Sequence, residues 1–137
     1  MPTTTQKGVS YRKAFFPLES NPDVFNEVVH ALGVSKSLAF QDVLSIDEPD
    51  ILAMTARPAL ALVLVFPCTP MYESQKKEDE AEREIYEGKG DGEPVVWYKQ
   101  TICNACGLYG ILHAISNGSA RQYIGECGST YICTGRG

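Results

Sequence analysis

The run "PALALVLVFP", Pro58 to Pro67, is continuously apolar and bounded by prolines. A segment of that kind has no polar face to give to water, so it predicts a central β-strand covered on both sides by other elements. It should be a central strand of its sheet. Cys68 follows directly, with no histidine or second cysteine beside it, and reads as a small residue at the edge of the core. A chain of 137 residues with 44% apolar composition suffices for one compact domain or part of one, and is too short for two of ordinary size.

In "LESNPDVFNEVVHALG", Asn21 is placed to cap a helix, Pro22 occupies its first position, and Val24, Phe25, Val28 and Leu32 form an apolar stripe that ends at Gly33. His30 falls about 200° round this helix from Val28, on the side expected to face solvent. Between Glu73 and Pro94 the sequence turns strongly polar and charged. This predicts a solvated helix running into a mobile loop, with an acidic patch for a basic partner as the functional alternative. "VVWYK", Val95 to Lys99, returns to strand composition. After Asn117 the chain becomes rich in Gly and Ser without a sustained period, the pattern of a loose tail. There is no internal repeat.

Twelve basic and seventeen acidic residues leave a formal charge of -5, which argues against a general affinity for nucleic acid or anionic lipid. No stretch reaches eighteen uninterrupted apolar residues, and the polar opening "MPTTTQKGVSYRK" lacks the apolar core of a secretory signal. A soluble intracellular protein is expected. Five cysteines, an odd number, then argue against a disulfide framework.

The remaining chemistry concentrates in "YKQTICNACGLYGILHAIS", Tyr98 to Ser116. Leu108, Ile111, Leu112 and Ile115 fall at i, i+3, i+4 and i+7, which specifies a helix with Cys106 at its N-terminal end. Unpaired N–H groups and the positive end of the helix dipole favour negative charge there, as a nucleophilic sulfur requires. Cys103 and Cys106 also make a C-x-x-C dithiol, and with Cys127 and Cys133 they fall within the loose range of a four-cysteine zinc site. On spacing alone, nucleophile, dithiol, zinc ligand and plain core cysteine stay open.

Taken together, "QTICNACGLYGILHAISN", "PLESNPDVFNEVVHALGV" and "RPALALVLVFPCTPMYE" resemble the active-site segment, the opening helix, and the first central strand with its following acidic helix of the ubiquitin C-terminal hydrolase family of cysteine peptidases. The likeness covers about Pro17 to Asn117 and corresponds to the family's N-terminal half. It implies an α/β (α+β) papain-like architecture with helices around a central, mostly antiparallel sheet. Residues 1–16 would be an arm, 17–117 a partial domain and 118–137 a divergent, poorly ordered tail.

By the same resemblance Cys106 matches the nucleophile and Gln100 the amide that stabilises the oxyanion, while Pro17, Leu18, Glu19 and Asn104 match positions that contact ubiquitin. No metal or cofactor is implied, the partner is ubiquitin's C-terminal tail, and the protein is expected to be a monomer of the cytoplasm, with the nucleus as a second location. Cys103 stands where the family carries a small residue, which makes the C-x-x-C incidental. The family's catalytic His and Asp lie downstream of the matching segment, so this chain is expected to be inactive, or a non-catalytic ubiquitin-binding fragment, with a dithiol or zinc protein as the remaining alternative. His113 lies seven residues and about 10 Å along the helix from Cys106, too far to be its base, and is expected to be a packed structural residue.

Overall fold

The computed structural model describes residues 4–6, 9–84 and 86–125. They fall into two compact units, one built from residues up to Val63 together with those from Val96 onward, the other from Leu64 to Val95. Cys127 and Cys133, and with them half of the zinc reading, lie outside the described residues.

The larger unit begins with an antiparallel hairpin, β1 (Thr4–Gln6) and β2 (Val9–Tyr11), with Thr5 opposite Ser10. Helix α1 (Pro22–Ala31) follows. Its start is set locally: the Asn21 side chain accepts the Asp23 N–H at 2.9 Å and Pro22 brings a fixed φ to a position that needs no donor. Its end is equally local, because Gly33 at φ 92° takes the left-handed conformation that releases the helix. A single helical turn, α2 (Pro49–Leu52), comes next. The unit resumes at Val96 with a passage that leads to α4 (Cys106–Ser116) and a short 3-10 helix (Gly118–Tyr123).

Helices α1 and α4 share the core. Phe25, Val29, Val34, Ile111 and Ile115 are buried together, with Leu18, Leu38, Phe40 and Ile124 packed around them. Phe40 meets Phe25 edge to face at 5.4 Å. The α1 stripe runs close to where the sequence puts it: Phe25 is buried and Val28 and Leu32 pack against the core, but the second buried position is Val29 and Val24 is not part of the cluster. His30 does not face solvent as expected. The loop after Gly33 folds back, and the ring Nε2 lies 3.0 Å from the Leu38 carbonyl oxygen.

The smaller unit is the solvated helix foreseen in the charged segment. Helix α3 (Pro70–Ala81) starts under a Thr69 cap, whose hydroxyl accepts the Tyr72 N–H, and it buries none of its residues. Lys76 and Glu80 form an i, i+4 ion pair at 3.5 Å. Tyr86 and Glu93 are joined by a hydrogen bond that holds the exposed phenol's pKa above its ordinary value.

The expected central sheet is absent among the described residues. The β1–β2 hairpin is the sheet they contain, and residues 59–69 have no strand pairing. Leu62 and Leu64 are 82% and 81% exposed. The physical reason is non-local: an apolar run becomes a strand only where another strand supplies its ladder of N–H and C=O partners. "VVWYK" likewise forms no strand, and side chains take over its backbone bonds. The predicted loss of structure at Asn117 does not occur at that point. The 3-10 helix buries Ala120, Ile124 bridges Val34, and Gly125 N–H reaches the Gly33 carbonyl at 3.0 Å.

Candidate active site

Cys106 is the first residue of α4 and is exposed. Three features place it there. The backbone of Cys103 is tied on both sides to the N-terminal segment, its N–H donating to the Lys13 carbonyl at 3.0 Å and its carbonyl accepting the Phe15 N–H at 2.9 Å. Asn104 then turns the chain with φ 59°, a conformation that asparagine tolerates better than most side chains. Ala105, buried to 2% exposure, seats the start of the helix against the core. Cys103 is buried at 1% and the two cysteines are not bridged. The pair is thus one sulfur turned inward and one turned to solvent.

Gly107 lets this helix end approach the opening segment. A Cβ there would stand 3.1 Å from the Leu18 Cβ, tighter than ordinary carbon contact. Leu18 is accordingly half-buried and packs on the core, while Pro17 and Glu19 are exposed. Beside them lies a groove of about 200 Å³ lined by Phe15, Phe16, Leu18, Val28, Asn104, Ala105 and Leu108. The residues matched to ubiquitin contact therefore divide: Leu18 and Asn104 line this groove, whereas Pro17 and Glu19 do not.

Gln100 stands on the extended passage that leads into the loop before α4. Its amide nitrogen donates to the Ile102 carbonyl at 2.9 Å, which fixes the amide plane and leaves the second N–H for another acceptor. The passage is held to α4 by side chains of the helix and of Asn117, the residue that ends it. Asn117 accepts the Val96 N–H at 2.9 Å and donates to the Val96 carbonyl at 2.9 Å. His113 Nε2 accepts the Tyr98 N–H at 2.8 Å, and the Tyr109 hydroxyl accepts the Thr101 N–H at 3.3 Å.

The sequence carries two histidines, and the structure commits a ring nitrogen of each to backbone, His30 to Leu38 and His113 to Tyr98. A backbone N–H only donates, so Nε2 of His113 carries no proton and the ring is the Nδ1–H tautomer. The imidazole stacks against Tyr98, with ring centroids 5.6 Å apart, and against Trp97 at 6.3 Å. The packed role expected of His113 fits these bonds; what spacing alone does not reveal is that its partner is backbone. Among the described residues no three His, Cys, Asp or Glu side chains gather into a metal-binding cluster, and no helix is long and apolar enough to cross a membrane.

Comparison with known proteins matches residues 15–131 to the family described as "Ubiquitin carboxyl-terminal hydrolase, family 1". Curated relatives agree. Over 105 residues the chain is 39% identical to ubiquitin carboxyl-terminal hydrolase YUH1 of Saccharomyces cerevisiae, covering 77% of this chain and 41% of that protein. It is 43% identical over 104 residues to a ubiquitin carboxyl-terminal hydrolase of Aplysia californica, covering 75% and 44%. Against the human isozyme L1 it is 41% identical over 103 residues, covering 74% and 44%. The chain thus spans less than half the length of these relatives.

Proposed function

Because the chain belongs to the ubiquitin carboxyl-terminal hydrolase family, family 1, we propose that it carries the nucleophile and oxyanion side of a thiol hydrolase acting at the C-terminus of ubiquitin. The observation that supports this most is the exposed Cys106 at the first position of α4. Two physical effects meet there. The helix end presents unpaired N–H groups and a positive dipole to an attacking sulfur, and an amide donor, Gln100, stands on the adjoining passage to meet the charge that develops on the carbonyl oxygen.

In this reading the sulfur of Cys106 attacks the carbonyl of ubiquitin's terminal residue, a thioester forms as the adduct leaves, and water then releases ubiquitin. Gln100 stabilises the tetrahedral oxyanion in both steps. The groove beside Leu18 and Asn104 lies next to the nucleophile and takes apolar parts of the substrate, with Pro17 and Glu19 at the surface nearby. A formal charge of -5 suits a basic peptide tail. The exposed thiols of Cys68 and Cys106 fit a reducing cytoplasmic or nuclear setting.

Proton transfer is the part these residues do not supply, since neither histidine is bonded to Cys106. General acid–base help is typically worth about 10²- to 10⁴-fold. Assayed on a fluorogenic ubiquitin derivative, the 137-residue chain should turn over more slowly than an intact relative by a factor of that order, and Cys106→Ala should remove what remains. Turnover unaffected by Cys106→Ala contradicts the assignment; turnover equal to that of an intact relative but abolished by Cys106→Ala keeps the nucleophile and shows that these residues do supply a base. The second reading, a ubiquitin-binding domain without chemistry, predicts binding by both proteins and turnover by neither.

A further inference from the structure

Three side chains of α4 and its C-terminal boundary, Tyr109, His113 and Asn117, stand at i, i+4 and i+8. Each hydrogen-bonds the backbone of one residue on the extended passage that precedes the helix: Thr101, Tyr98 and Val96. Helix and strand geometry make this possible, because four helical residues rise about 6 Å and two extended residues span about 6.6 Å. Asn117 to Val96 and His113 to Tyr98 are matched on this spacing. One helix face thus does for the passage what a neighbouring strand would do, and Gln100 lies between two of the tied residues.

We propose that Tyr109, His113 and Asn117 are positioning residues that fix Gln100 on the same rigid element that carries Cys106. This rests on the reading of Cys106 as nucleophile and Gln100 as oxyanion donor. The distance from amide to sulfur is then set by one helix and the loop that opens it, without a sheet. His113 is the centre of the device. It offers an acceptor nitrogen to Tyr98 N–H and a flat ring to the Tyr98 and Trp97 side chains. The Tyr98 hydroxyl is held in turn, 3.2 Å from the Ser116 hydroxyl. Asn117 closes the far end, since its amide also donates to the His113 carbonyl at 2.9 Å and so ties the helix terminus to the passage.

Two reagents separate positioning from general stability. Acylation by p-nitrophenyl acetate forms a sulfur–carbon bond at the ester carbonyl and expels nitrophenolate, the thiol proton passing to solvent; it develops an oxyanion. Alkylation by iodoacetamide displaces iodide and develops none. With the Cys106→Ala rate subtracted, Gln100→Ala should slow acylation by about 10²-fold, the loss typical of one oxyanion donor. His113→Leu should slow it by about tenfold, through misplacement of that donor. Both should leave alkylation within about twofold, and the double variant should match Gln100→Ala alone, as expected when one residue acts through the other. His113→Gln, which keeps an acceptor, should restore most of the rate. In the unaltered chain, ¹⁵N spectra should show a coupling through the hydrogen bond between the Tyr98 amide and His113 Nε2.

An unchanged acylation rate in His113→Leu, with Gln100→Ala slowed, overturns the positioning role and leaves the proposed function standing. An unchanged rate in Gln100→Ala overturns that residue's role and the positioning role together. Equal slowing of acylation and alkylation, or no coupling between Tyr98 and His113, also overturns it. If His113→Leu does not fold, Tyr109→Phe, which removes a single hydroxyl, takes its place, and an acylation rate equal to that of the unaltered chain counts against the proposal.

Discussion

Asn104, with φ 59°, separates a buried sulfur from an exposed one, and its conformation is the reason it can. A side chain other than glycine in the left-handed region costs roughly 1–2 kcal/mol, least for asparagine. Asn104→Gly should therefore hold or raise stability in a denaturant titration, and Asn104→Val should lower it by about 1–2 kcal/mol. A Val variant as stable as the parent would show that the turn is not under this constraint. The sequence names Asn104 only through its family motif, because a single residue's φ leaves no periodic trace. The histidines show the same limit. Helical spacing gives His30 a direction away from Val28, but its bond to the Leu38 carbonyl depends on a loop that folds back from Gly33. His113 can be recognised as too distant from Cys106 by counting residues, yet its bond to Tyr98 joins positions whose pairing no local pattern announces.

Helices are the most legible elements, since their ends are set by chemistry within a few residues. Asn21, Pro22 and Gly33 define α1 in the sequence and in the structure, and α4 begins at Cys106 as the apolar spacing requires. Asn21→Ala should accordingly cost about 1 kcal/mol, the usual worth of such a cap, read as a lowered denaturation midpoint with an unchanged slope. A midpoint equal to the parent's would place the helix start under tertiary control instead. Spacing gives a face more reliably than its centre line, so Val29, buried to 1%, is not among the residues of the predicted stripe. Strands fare worse. The runs at 58–67 and 95–99 have the right composition, but pairing is a property of two segments. Residues 59–69 are unpaired, and the backbone after Val95 is met by helix side chains. Amide side chains do comparable service elsewhere: Asn26 brackets the backbone of Phe40, and Gln41 bridges Met54 and Ala56.

For the whole molecule, family membership is legible because it rests on many residues at once, from Pro17 to Asn117, whereas layer structure is not. The core between α1 and α4 places an exposed sulfur at a helix end, and side chains of α4 hold the passage bearing Gln100. Everything proposed for this molecule turns on Cys106 being the nucleophile presented to the C-terminus of ubiquitin. That role is tested most directly by incubating the 137-residue chain with ubiquitin bearing a C-terminal electrophile and mapping the product by peptide mass spectrometry. Attack by the sulfur needs no proton delivered to a leaving amine, so the reaction probes the nucleophile without calling on a general acid. One ubiquitin adduct on Cys106, absent in Cys106→Ala, is the predicted result. An adduct on Cys68, Cys103, Cys127 or Cys133 in its place, or no adduct at all from folded chain, contradicts it.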